Sequence, residues 1–145
     1  IYVTRYGTVQ HTVTTTDGRT ATITQTIQVR THDVAITKIT TPASANVGQT
    51  KTITVTMRNI AYPETVQIDL YKSTPNGFVW VATITKAVPA LSGNRTTAVN
   101  FSYTFTSDDA KLGKVTFKAV ATINGARDAY PSDNEAISSI TKVAK

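Results

Sequence analysis

The chain has 145 residues, a formal net charge of +6, no Cys and 29 Thr, one residue in five. Its length suits one domain, or one domain with an appendage; 40% apolar residues are enough for a real core, and the modest charge argues against disorder. No Cys means no disulfide, thiolate zinc site or cysteine nucleophile. No run approaches the ~20 apolar residues of a membrane span, and the Thr excess points to strands, because β-branched side chains suit a pleated surface.

The chain opens on Ile1 and shows no signal-peptide pattern, so it is read as a processed protein or a piece of a longer one. Residues 1–30 read as a long β-hairpin turning at Asp17-Gly18. A two-residue loop there would pair Ile23 with Thr12 and scramble the faces. A three-residue loop, Asp17-Gly18-Arg19, pairs Val13 with Ile23 and Val9 with Ile27. The expected hairpin then has one apolar face of Val9, Val13, Ile23, Ile27 and Val29. A lone hairpin is marginal in water, so this face is a candidate assembly interface. It would dock on its own sandwich, on a missing upstream domain or on a neighbouring subunit.

A boundary falls near Arg30 to Asp33, giving a hairpin extension over 1–32 and a second region over 33–145. The second region alternates apolar and polar residues in the period-2 signature of half-buried strands. Examples are Ile53-Val55-Met57, Val66-Ile68-Leu70, Val99-Phe101-Tyr103-Phe105 and Val115-Phe117-Ala119-Ala121-Ile123. Expected strands lie at about 33–40, 50–59, 65–73, 78–86, 96–106, 114–123 and 136–143, separated by Gly and Asn turns. Ser107 to Gly113 reads as a single helical turn, with Asp108-Asp109 capping its start. About seven strands make an all-β, antiparallel immunoglobulin-like sandwich with an extra N-terminal hairpin.

Residues 33–143 resemble the CARDB module (cell adhesion related domain found in bacteria). The likeness rests on Asp33-Val34-Ala35-Ile36, Pro42, Val47-Gly48-Gln49, the run Ile53 to Asn59, Val66 through Leu70-Tyr71, and Asp133-Asn134-Glu135-Ala136. The resemblance implies an immunoglobulin-like or fibronectin type III-like sandwich on a prokaryotic or archaeal surface protein. Residues 8–30 resemble the closing hairpin of a PKD domain, through Thr12-Val13-Thr14, Thr16-Asp17-Gly18 and Thr20 to Val29. Neither family is known for catalysis; both serve as spacers, adhesion units and assembly parts.

Candidate chemistry is sparse. The two His, His11 and His32, lie before or at the boundary, with no nucleophile elbow to complete a triad. His32 reads as a linker residue, and no catalytic residue or cofactor site is assigned. Asp128, Asp133 and Glu135 share one loop and are weak candidates for a hard cation. Asn94-Arg95-Thr96 and Asn100-Phe101-Ser102 are sequons, making Asn94 and Asn100 candidate glycan acceptors. Trp80 has Phe78, Ala82 and Ile84 on its face, with Val79 and Val81 on the other, so this strand is either covered on both sides, which puts Trp80 in the core as expected, or has one face as a partner surface. Basic residues are scattered, with only Lys111, Lys114 and Lys118 near a cluster, which does not suit a nucleic-acid partner.

The expected role is a non-enzymatic extracellular or cell-surface structural or adhesion module. Its expected partners are other protein domains, copies of itself, or a cell-surface polymer or glycan, with no membrane insertion. An alternative is a self-assembling subunit of an extracellular filament or virion coat, using the hairpin for strand addition. A third is a carbohydrate-binding module, although the sequence shows no aromatic platform for one.

Overall fold

The computed structural model describes the backbone of residues 6–28 and 32–145, and the side chains of residues 10–25 and 32–145. The chain divides into two compact units, Ile1–Thr31 and His32–Lys145.

The first unit is a two-stranded antiparallel hairpin of β1 (Tyr6–Thr14) and β2 (Thr20–Gln28). Its loop differs from the sequence expectation. Thr15 N–H donates to the Arg19 carbonyl (2.8 Å) and Gly18 N–H to the Thr15 carbonyl (2.9 Å). The three-residue loop is therefore Thr16-Asp17-Gly18, one residue earlier than expected, with Gly18 left-handed at φ 83°. Asp17 fixes it by accepting from the Thr15 hydroxyl and from Arg19 N–H. Val13 consequently pairs with Ala21 and Val9 with Gln25, while Ile23 faces His11 and Ile27 faces Gly7. The register slides by two residues, which keeps Val13 and Ile23 on their expected face. Val13 and Ile23 still share that face, diagonally rather than directly opposed.

The second unit is the expected sandwich. One sheet runs β3 (Val34–Thr40), β5 (Thr50–Asn59), β8 (Thr97–Thr104) in that order. A second runs β11 (Glu135–Ile137), β10 (Phe117–Ile123), β6 (Glu64–Thr74), β7 (Gly77–Val88). A short third sheet joins β4 (Ser44–Asn46), β12 (Thr141–Ala144) and β9 (Lys114–Val115), with β4 parallel to β12.

Alternation dictates the core. Ile53, Val55 and Met57 of β5, Val66, Ile68 and Leu70 of β6, Val99 and Phe101 of β8, and Phe117, Ala119 and Ile123 of β10 are all buried. They form one cluster with Val34, Ile36, Phe105 and Val143. Tyr103, Phe105 and Phe117 meet edge to face at 5.0–5.2 Å for the two Tyr103 pairs, the geometry favoured by the ring quadrupole.

The expected helical turn is α1 (Ser107–Leu112). Thr106 and Asp109 make a reciprocal capping box, and Gly113 closes it in the left-handed region at φ 72°. Between β10 and β11 lies a single 3-10 turn, Pro131–Asp133.

One expected strand face is broken by an inserted residue. Leu70 pairs with Ala82 but Tyr71 pairs with Trp80, so Val81 is extra in β7. Such a bulge re-aims the neighbouring side chains. Ala82 and Ile84 pack against the core, whereas Trp80 is 60% exposed on the outer face. The expectation of a core Trp80 is thereby corrected.

Candidate functional site

The loop between β10 and β11 is laced to the start of β3. Asp128 Oδ2 accepts from Val34 N–H (3.1 Å), and its Oδ1 accepts from Tyr130 N–H (2.7 Å). Ala129 N–H donates to the His32 carbonyl (2.9 Å), and Ala121 N–H to the Asn134 carbonyl (2.7 Å). These bonds bring Asp33, Asp128 and Asp133 together, each offering a carboxylate oxygen within 4.8 Å of the others. All three are half-buried.

Within the cluster Asp133 is disfavoured as an anion. Burial, followed by the neighbouring charge of Asp128, pushes the Asp133 carboxyl up from its ordinary value. Oδ1 of Asp133 and Oδ1 of Asn134 are buried without a hydrogen-bond partner. Unsatisfied buried acceptors beside clustered carboxylates are what a hard, oxygen-seeking cation would satisfy.

Of the sequence candidates, the structure gathers Asp128 and Asp133 and leaves out Glu135. Glu135 is exposed on β11, where it pairs with Val120 of β10, so β-strand alternation carries it away from the loop interior. Asp33 takes its place. Sequence reading missed it because it lies 95 positions before Asp128; the only signal was an acid opening the first strand of the sandwich.

The other polar side chains of interest bond one another. Lys72 Nζ donates to Tyr103 Oη and Asp109 Oδ1, both at 2.8 Å, and Tyr103 Oη donates to Asp109 Oδ2 at 2.7 Å. Burial alone would raise the Asp109 carboxyl, but the bonds from Lys72, Thr106 and Tyr103 outweigh it and hold it below its ordinary value. The Tyr103 hydroxyl is raised by its burial and by the carboxylate. Asp109 therefore does more than cap a helix: it anchors α1 to the sandwich. Asp108, fully exposed, pairs with Lys111 instead.

His32, expected as a linker residue, is part of the sandwich. Its Nδ1 hydrogen-bonds the buried Glu64 carboxylate, and its ring stacks on Tyr62 at 4.8 Å. Asn94 is exposed in the turn before β8, and Asn100 is exposed on β8, where its Oδ1 accepts from the Thr54 hydroxyl (2.9 Å). On the hairpin, Val13 and Ile23 are 64% and 68% exposed. Val9 and Ile27 lie in the strands, but their side chains fall outside the described residues, as does the whole of Val29. Among the described residues no helix is long and apolar enough to cross a membrane.

No protein-family model matches the chain, and no curated protein matches it in sequence. Solved structures do match. A β-glucosidase from Listeria innocua, solved in complex with glucose, aligns at 14% identity and a TM-score of 0.49; the match covers 79% of this chain and only 16% of that one. A CARDB domain from Pyrococcus furiosus, solved in complex with di-metal ions, is similar at 16% identity and a TM-score of 0.61, covering 81% of this chain and 93% of that one. The chain thus shares the fold of a CARDB domain, as residues 33–143 led us to expect.

Proposed function

We propose that this protein is a non-enzymatic structural or adhesion module of a cell-surface or extracellular protein, and that its sandwich is clamped by a divalent cation. The carrying observation is the Asp33–Asp128–Asp133 cluster with the unpartnered Oδ1 atoms of Asp133 and Asn134. All-oxygen donors suit calcium, magnesium or manganese rather than softer metals. The similar Pyrococcus domain was solved with di-metal ions, which supports metal binding by a domain of this fold. A bound cation would supply charge neutralisation, tying the β10–β11 loop to the first strand. Three carboxylates from separate segments make a weak site, in the range of about 10⁻⁴–10⁻³ M typical of extracellular calcium modules. Such a site fills where calcium is abundant, outside the cell.

The non-enzymatic part of the reading is supported by how the buried polar groups are engaged. Lys72, Tyr103 and Asp109 bond one another, and His32 bonds Glu64, rather than converging on a substrate. Partners would be other protein domains, copies of the chain, or a cell-surface polymer.

Thermal unfolding of the whole chain in EDTA and in calcium tests the clamp. At about 10 mM calcium and a Kd of about 1 mM, linkage gives about 1.4 kcal/mol, or roughly 5 °C in Tm. Equal Tm values in both conditions would overturn the cation reading.

The exposed Val13 and Ile23 favour a second reading, a self-assembling subunit whose hairpin adds to a neighbour. Sedimentation of the intact chain against a chain lacking residues 1–31 decides it. Assembly requires the intact chain to polymerise and the shortened one to stay monomeric; an intact chain that stays monomeric at high concentration removes it.

A further inference from the structure

The bulge at Val81 has a chemical consequence on the outer face of the β11–β10–β6–β7 sheet. Register places Ile137, Lys118, Tyr71 and Trp80 in one row across its four strands. Cross-strand partners point to the same side. Because their chain neighbours Leu70 and Ala119 point into the core, this row points away from it. Trp80 and Ile137 are 60% and 59% exposed. Without the extra residue, Trp80 would follow Ala82 and Ile84 inward, so the backbone itself turns the largest side chain of the sequence outward.

The exposed ring is tied to its own sheet by a hydrogen bond. Its indole N–H donates to Thr83 Oγ1 (3.0 Å), the Thr83 hydroxyl donates to Asp69 Oδ1, and Gln67 Nε2 donates to Asp69 Oδ2 (3.1 Å). Lys118 Nζ lies 5.3 Å and 5.1 Å from the ring centres of Tyr71 and Phe78, a cation–π bracket. The polar edge of Trp80 is thus engaged within the sheet, and its faces remain for a ligand. A pre-positioned aromatic loses little entropy on binding.

The neighbours of the ring select the ligand. The fully buried core of a protein contact is depleted of charged side chains. Here the adjacent row holds Asp69 and Thr83, with Gln67 beyond. The Asp69 carboxylate keeps lone pairs to spare after its two bonds, and Lys118 keeps N–H donors. Flat rings beside a hydroxyl, amide and carboxylate chain match a molecule with C–H faces and hydroxyl edges. The surface is an open sheet of about 14 Å across four strands, suited to an extended chain and not to one small molecule, which would need a concave pocket.

We propose that this face is a glycan-binding surface, with Trp80 as the stacking platform and Asp69, Gln67 and Thr83 as the edge that meets sugar hydroxyls. It is independent of the cation cluster, which uses different residues.

Trp80 is the one Trp of the sequence, so its emission reports on this face alone. The experiment titrates the full chain with cellohexaose, xylohexaose and chitohexaose, and measures retention on cellulose, xylan and chitin. We expect at least one glycan to shift the emission saturably. Trp80→Ala should weaken retention about tenfold or more, with Asp69→Ala weakening it less, and both should keep the circular dichroism of the parent. The proposal is overturned if none of these glycans shifts the emission or retains the protein, or if Trp80→Ala is retained as well as the parent. It is also overturned if the emission shifts with protein concentration alone, which would assign the face to contact between copies.

Discussion

Replacing Asp109 with Ala removes in one step the acceptor for Lys72 Nζ (2.8 Å), Tyr103 Oη (2.7 Å) and Thr106 N–H (2.9 Å). Breaking a buried ion pair from one side costs about 3–5 kcal/mol, because the surviving charge is left without compensation. The Lys72 side chain keeps 18% exposure against 2% for Asp109, so its ammonium regains some water and the loss falls at the low end. Losing the capping box adds about 1 kcal/mol. The expected total is about 3–4 kcal/mol, or roughly 10–20 °C in Tm for a domain of this size. Urea unfolding of Asp109→Ala, Lys72→Met and the double variant isolates the pair, and we expect a coupling of at least about 1.5 kcal/mol. A coupling under about 0.5 kcal/mol, the value of an exposed pair, would refute the reasoning. The pH dependence has a definite sign. Because the carboxyl is held below its ordinary value in the folded state, its contribution is fully present above the unfolded value near 3.9. It is lost as pH falls through the lower folded value. The gap between parent and Asp109→Ala should therefore narrow below about pH 4.

Asp133 behaves in the opposite sense. Its raised carboxyl means that folding penalises the charged form, fully so above the folded value, and stability recovers as pH falls through it. Asp133→Asn should raise Tm by about 1–3 °C in EDTA and abolish the rise with calcium; a calcium response unchanged in that variant would place the cation elsewhere. Gly113→Ala meets no atom within 4 Å but sits at φ 72°, so the cost is conformational: about 1–2 kcal/mol, read as a Tm loss of about 3–10 °C. An unchanged Tm would mean that α1 ends in some other way.

Unbroken alternation made most of the sandwich legible. Val66-Ile68-Leu70 and Val99-Phe101 needed only a period of two to declare their buried face, and Ser107 to Gly113 announced α1 and its Gly stop, whereas the N-cap is Thr106 and not the expected Asp108-Asp109. Sequence reading went astray where one residue entered or slid. Val81 adds nothing unusual to the composition of β7, yet it inverts the side to which Trp80 points. The hairpin loop begins at Thr16 because Asp17 binds Thr15 and Arg19 locally, a preference weaker in sequence than the matching of Val13 to Ile23. The carboxylate cluster and the Lys72–Asp109 pair were half visible. Asp128, Asp133 and Asp109 stood out, but Asp33, just before β3, and Lys72 of β6 are distant in sequence, and only the fold brings them in.

The threonines connect these points. On the β3–β5–β8 sheet, outward Thr side chains bond across strands and not to water alone: Thr50 to Thr104 (2.7 Å), Thr54 to Asn100 (2.9 Å), Thr37 to the Thr56 carbonyl (3.2 Å). Each such cross-strand pair adds a few tenths of a kcal/mol to about 1 kcal/mol, and none carries charge. That face is knitted shut and polar. On the opposite outer face the pattern changes: Thr83 supports an indole instead of another Thr, and aromatic rings stand in the row where the first sheet would place hydroxyls. Both sheets have the same apolar inward chemistry, and the bulge in β7 serves both sides at once: Val81 and Ala82 pack on the core while Trp80 turns to solvent. The glycan surface proposed above rests on that outward turn.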